Sequence, residues 1–200
     1  MAAADEKRRR ILEAAEHVFA RQGYDASPVS DVATEAGVAY GLVFHYFGSK
    51  DALLDAVFHA VWGRLLAALR HAEELGETAP EQLVLVVKIV LRAWRDDPNL
   101  VRLLVREVTR NPNVADELDE IGQALALNER IISKGQAEGT LRTDVDPRLA
   151  GWMLYGALEE VLTGWVLGQL PDSPADVAAA EREVIATVIG GLLDTNTRSL

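Results

Sequence analysis

Along almost the whole chain, apolar residues recur three and four positions apart, and no alternating apolar and polar run bounded by turn residues competes with them. That period builds helices, so the expected fold is all-α. Ser27-Pro28, Asp97-Pro98, Asp146-Pro147 and Ser173-Pro174 each set a capping side chain before a proline, which suits the first helical position because its missing N–H would be unpaired there. Thr78 to Glu81, "TAPE", has capping-box spacing, and Gly139 stands where a helix would stop in a left-handed turn. These signals predict about nine helices, approximately 5–22, 28–35, 39–46, 50–74, 79–95, 98–110, 113–137, 147–168 and 174–193, with three short ones preceding six mostly longer ones.

Two hundred residues suffice for a real core, with about 70% of the unfolded surface buried. The chain has no cysteine, which excludes disulfides, thiolate metal sites and a cysteine nucleophile and fits a cytoplasmic home. The N-terminal stretch lacks the apolar run and cleavage site of a signal peptide, so it is expected to stay in the fold. The nearest approach to a membrane span is Gly151 to Leu170, but Glu159 and Glu160 at its centre make it a buried helix of a soluble protein instead. The net charge of −11 would disfavour a nucleic-acid partner, yet it is unevenly spread. Residues 1–50 hold six Lys/Arg against seven Asp/Glu, and the remainder hold fourteen against twenty-four. The acidity belongs to the C-terminal three quarters.

The segment Ala36 to Leu54, "AGVAYGLVFHYFGSKDALL", joins the second and third predicted helices through a tight glycine turn, the arrangement in which a second helix enters the DNA major groove. Val32, Ala33, Val38, Val43 and Phe47 are the expected small core. Ala39, Tyr40, Leu42, His45 and Tyr46 are left pointing elsewhere, and Gly41, costly inside a helix, suggests close approach of another molecule. Lys7, Arg8, Arg9 and Arg10 crowd the positive end of the first helix, poorly placed for stability and well placed for phosphate. The aromatics could instead stack on single strands, but Phe44 and Phe47 are needed inside so small a domain. His45 has no partners at metal-ligand spacing, and Ser49 reads as the cap of the fourth helix rather than as a nucleophile.

Residues 1–54 resemble the DNA-binding domain of the TetR family of bacterial transcriptional regulators, on the stretch "GYDASPVSDVATEAGVAYGLVFHYFGSKDALL" from Gly23 to Leu54. The resemblance implies an N-terminal helix-turn-helix domain over 1–49 and a ligand-binding and dimerisation domain over 50–200. It places Ser27 and Ser30 on phosphate or a base edge, Ala39, Tyr40 and Leu42 on the base-reading face, and Tyr46 and Lys50 on phosphate. Arg8, Arg9, Gly41 and His45 complete the expected DNA-binding set. Phe44 departs from the pattern, standing where many relatives carry a tyrosine whose hydroxyl meets a phosphate.

In that family the C-terminal bundle holds an inducer whose binding moves the fourth helix. Trp62, Trp94, Leu103, Trp152, Tyr155 and Leu162 are candidate pocket walls, each of which would serve equally as plain core. Small residues in the last two helices, among them Gly151, Gly156, Gly164, Ala186 and Gly190, suit close packing between two copies or within one chain. The C-terminal sequence is similar to the fatty-acid-responsive, FadR-like branch, which implies a long-chain acyl-CoA inducer running between helices five, seven and eight, with Arg102 or Arg106 meeting the coenzyme A moiety. Arg106 could equally pair with the adjacent Glu107. The expected protein is a cytoplasmic homodimer, a repressor released from a palindromic double-stranded operator by a hydrophobic inducer, with no cofactor, metal or membrane partner. The rival is a helical-bundle adaptor or enzyme without operator binding, for which no nucleophile or metal constellation is present in the sequence.

Overall fold

The computed structural model describes residues 2–110 and 119–193, with side chains for 4–106 and 119–193. In chain order the helices are α1 (Ala2–Gln22), α2 (Val29–Ala36), α3 (Tyr40–Phe47), α4 (Lys50–Leu75), α5 (Ala79–Asp96), α6 (Pro98–Arg110), α7 (Asp119–Ala137), α8 (Pro147–Val166) and α9 (Pro174–Val184). A π-helical turn, Ile185–Ile189, and a last α turn, Gly190–Leu192, continue from α9. The fold is all-α. Among the described residues the only extended pairing is an isolated bridge between Leu141 and Leu193. The start expected for the seventh helix, at 113, lies outside the described residues.

Local chemistry sets most boundaries. Asp146 accepts from the backbone N–H groups of Arg148 and Leu149, and Ser173 forms a capping box with Asp176, both with proline in the first turn. Thr78 and Glu81 cap each other's backbone N–H at 3.4 and 3.0 Å. Asp97 accepts from the N–H of Leu100 at 3.0 Å, and Ser49 from that of Ala52 at 3.0 Å. Gly139 ends α7 at φ +72°. Ser27-Pro28 is the exception: Pro28 itself occupies the N-cap of α2 in extended geometry, without a side-chain cap.

The chain divides into two compact units, Met1–Trp62 with Asp97–Val114, and Gly63–Asp96 with Ala115–Leu200. In the first, Ile11, Ala15, Val18 and Phe19 of α1 are buried with Val32 and Ala33 of α2, Val43 and Phe47 of α3, and Leu53, Val57 and Phe58 of α4. Val38, expected in this core, is half-buried. α6 packs on α1 within this unit. In the second, Leu83, Val87 and Leu91 of α5, Leu127, Ile131 and Ile132 of α7 and Leu154 of α8 are fully or almost fully buried. Each such side chain contributes roughly 1.5–3 kcal/mol relative to exposure. Arg92 on α5 grips the buried carboxylate of Glu181 on α9 with two bonds, 2.9 and 3.1 Å.

Among the described residues the helix long and apolar enough to cross a membrane is α4, not the Gly151 to Leu170 stretch singled out from the sequence. Its Leu53, Leu54, Val57, Phe58, Val61, Leu66, Leu69 and Ala72 are buried in protein.

Candidate nucleic-acid interface and apolar clefts

The turn between α2 and α3 is fixed from two directions. Gly37 adopts φ +63°, ψ +41° and returns its N–H to Ala33 and Thr34, closing α2. The Arg10 guanidinium donates to the carbonyl of Ala36, placing a cation at the negative end of α2. A Cβ on Gly37 would lie 3.0 Å from that guanidinium. Arg10 is therefore a structural part of the turn, a role with no local sequence signal because the partners are 26 residues apart.

Beyond the turn, α3 buries Val43 and Phe47 and exposes Ala39, Tyr40, Gly41, Phe44 and His45. Tyr40 is 56% and Phe44 36% exposed, and their rings meet edge to face at 5.2 Å. Leu42 and Tyr46 are half-buried, and the Tyr46 ring lies 5.3 Å from that of His45. A Cβ on Gly41 would meet nothing within 4 Å, so packing within the chain does not demand glycine there.

The cations around this helix are held by the protein. The Arg8 guanidinium lies 5.0 Å over the Phe47 ring. Arg9 pairs with Glu6 at 2.5 Å and Glu13 at 2.6 Å, and its hydrogen bond holds the Glu6 carboxyl below the usual range. Both pairs are exposed and weak enough to exchange for phosphate. Lys50 donates to the carbonyl of Tyr24 at 2.6 Å and lies 4.3 Å over that ring, while the Tyr24 hydroxyl donates to Asp51. Ser30 is exposed at the start of α2. Ser27 is fully buried, and its hydroxyl donates to the carbonyl of Gly23 at 2.6 Å, with that of Val18 at 3.3 Å. It closes the end of α1 and has no surface to offer phosphate.

The expected ligand residues are divided. Trp94 is 2% exposed and packs at 5.8 Å against Trp165, whose indole N–H donates to Pro171. The indole N–H of Trp62 is buried with no acceptor. Tyr155 and Leu162 are half-buried, and burial, then the charge of Glu159, pushes the Tyr155 hydroxyl up to about 12. Trp152 is 51% exposed, so it is not an interior wall; with Arg148 and Glu129 it lines a shallow cleft of about 320 Å³ between α7 and α8. In the first unit Leu103, Arg102 and Arg106 line a cleft of about 490 Å³ with the end of α1 and the turn after it. The Glu107 side chain, the other expected partner of Arg106, lies outside the described residues.

Known proteins resemble this chain along its length. The profile described as "Bacterial regulatory proteins, tetR family" matches residues 11–57, and "YsiA-like protein, C-terminal region" matches 58–191. The chain is 29% identical over 184 residues to the fatty acid metabolism regulator protein of Bacillus subtilis (strain 168), spanning 91% of this chain and 93% of that one. The crystal structure of the transcriptional regulator FadR from Bacillus subtilis in complex with stearoyl-CoA has a TM-score of 0.80 at 28% identity, over 92% of this chain and 98% of that one. The fatty acid degradation regulator FadR from Bacillus halodurans gives 0.79 at 29%, with the same coverage. A helix-turn-helix with an exposed reading helix, followed by a helical bundle that matches throughout, makes this chain a member of the TetR family, a DNA-binding transcriptional regulator.

Proposed function

We propose that this regulator is a cytoplasmic homodimeric repressor that leaves a palindromic operator when it binds a long-chain acyl-CoA. The likeness over 92% of the chain to FadR solved with stearoyl-CoA carries this reading. Physical features support it. α3 presents an exposed face for a major groove, and Arg8, Arg9, Ser30, Tyr46 and Lys50 lie around it on candidate phosphate positions. Lys50 reaches phosphate only by leaving Tyr24, so the phosphate roles rest first on Arg8 and Arg9. On α8, Leu149, Trp152 and Met153 are exposed together, an apolar face that suits a second copy of the chain.

The second unit offers an acyl chain the apolar surroundings of Trp94, Tyr155 and Leu162, where each further methylene would add about 0.8 kcal/mol. Arg102 and Arg106 belong to the first unit, where they line the cleft beside the end of α1. The regulator acts here as a switch rather than a catalyst. The experiment is a titration of promoter DNA with the full chain, repeated with stearoyl-CoA, stearate and free coenzyme A. Release by stearoyl-CoA alone is expected, together with operator binding that weakens steeply with salt. Release by none of the three would sink the acyl-CoA reading, and absence of salt-dependent binding to any palindromic site would sink the repressor reading.

A further inference from the structure

From Gly37 to Ser49 the chain contains no Lys, Arg, Asn, Gln, Asp or Glu. Those are the side chains that pair with base edges through two hydrogen bonds or accept from cytosine, and α3 has none of them. In their place the first turns of α3 carry an exposed aromatic pair, Tyr40 and Phe44, in mutual edge-to-face contact at 5.2 Å. Ala39 and Gly41 beside them are exposed and small, leaving the pair open to a flat partner. In the major groove the apolar group that such a surface can recognise is the 5-methyl of thymine.

We infer that Tyr40 and Phe44 read thymine methyl groups, and that this chain selects its operator by apolar contact where other readers use paired hydrogen bonds. The inference rests on the operator-binding reading above. It also gives Phe44 a role: a phenol there would place a hydroxyl at the rim of the apolar surface. The exposed Tyr40 hydroxyl and His45 can add single hydrogen bonds, which orient the helix without distinguishing all four base pairs.

The test uses the intact protein and a half-site selected from a randomised duplex library. Each thymine in the selected site is replaced by deoxyuridine, which removes only the methyl group. Binding should weaken by about three- to fivefold at each of one or two positions, the scale of one buried methyl. A cytosine at such a position should regain affinity when it carries a 5-methyl group. Tyr40→Ala and Phe44→Ala should each lose the thymine-to-uracil difference, and Phe44→Leu, which stays apolar, should keep part of it. Unchanged binding of the wild-type protein to every uracil-substituted site would overturn the inference while leaving the repressor reading intact. Failure to select any site would overturn both.

Discussion

Among the described residues α3 and α8 each leave more than one large apolar side chain on the surface, and they differ in the charge around them. On α3 the aromatic pair Tyr40 and Phe44 has Arg8 and Lys50 in the same unit, both resting on aromatic rings. On α8 the exposed Leu149, Trp152 and Met153 have charges of both signs near them, Arg148 and Glu129 lining the same cleft as Trp152, with Glu159 and Glu160 further along the helix. An apolar face with cations in its unit resting on aromatic rings can be laid against a polyanion; one flanked by charges of both signs suits protein. With the acidity concentrated after residue 50, a chain of net charge −11 can still carry a DNA-reading surface.

The largest test of this contrast is Met153→Glu on α8. Loss of pairing should shift the sedimenting species from dimer to monomer and lower operator affinity by about a hundredfold or more, because the second half-site no longer binds in the same molecule. The same charge placed on α3, as Tyr40→Glu, should weaken operator binding about tenfold or somewhat more and leave the oligomeric state unchanged. If both variants alter assembly, or neither alters binding, the two faces do not have separate uses.

Ser27→Ala separates structure from contact within the headpiece. It removes a buried hydroxyl from the carbonyls of Gly23 and Val18 and should cost about 1–2 kcal/mol of stability in a denaturant melt. The salt dependence of DNA binding should stay the same; a shallower slope would return Ser27 to the phosphate contacts. The smallest effect is expected at Glu159, whose carboxyl is raised by burial and then by Glu160. A carboxyl raised in the folded state favours folding below its unfolded value and loses that contribution as pH climbs through the raised one. Glu159→Gln should therefore raise the midpoint of thermal unfolding by about 1 °C near neutral pH, with the gap closing in acid.

Boundaries were legible where the chemistry is local. The caps at Asp146 and Ser173, the mutual Thr78 and Glu81 cap and the left-handed stop at Gly139 each need only neighbouring residues. Ser27 misled because its sequence neighbour suggests a cap while its hydroxyl is claimed by the end of α1, a partner set by tertiary packing. The π turn at Ile185–Ile189 had a trace in the sequence: Val177, Val184 and Val188 lie in one apolar phase, and Ile185, Ile189 and Leu192 in another. A single widened turn rotates the helix from the first phase towards the second. The Arg92 grip on Glu181 had no trace, since both residues read as surface charge until α5 and α9 are brought together. The same limit applies to Trp152, whose exposure depends on what α7 leaves uncovered.

The contact between Arg10 and the α2–α3 turn also bears on how such a regulator can change over generations. Replacing Gly37 meets the positive φ, which most side chains resist, whereas the guanidinium 3.0 Å from an added Cβ is the far end of a flexible side chain and can shift by a few tenths of an ångström. Asparagine and aspartate, which tolerate the left-handed region, are the least costly replacements for this glycine. Tyr40 and Phe44, a few residues onward, face solvent and carry no comparable barrier. The turn that holds α3 is thus more constrained in its backbone than the exposed aromatic surface beside it, so substitutions on that surface disturb the frame less.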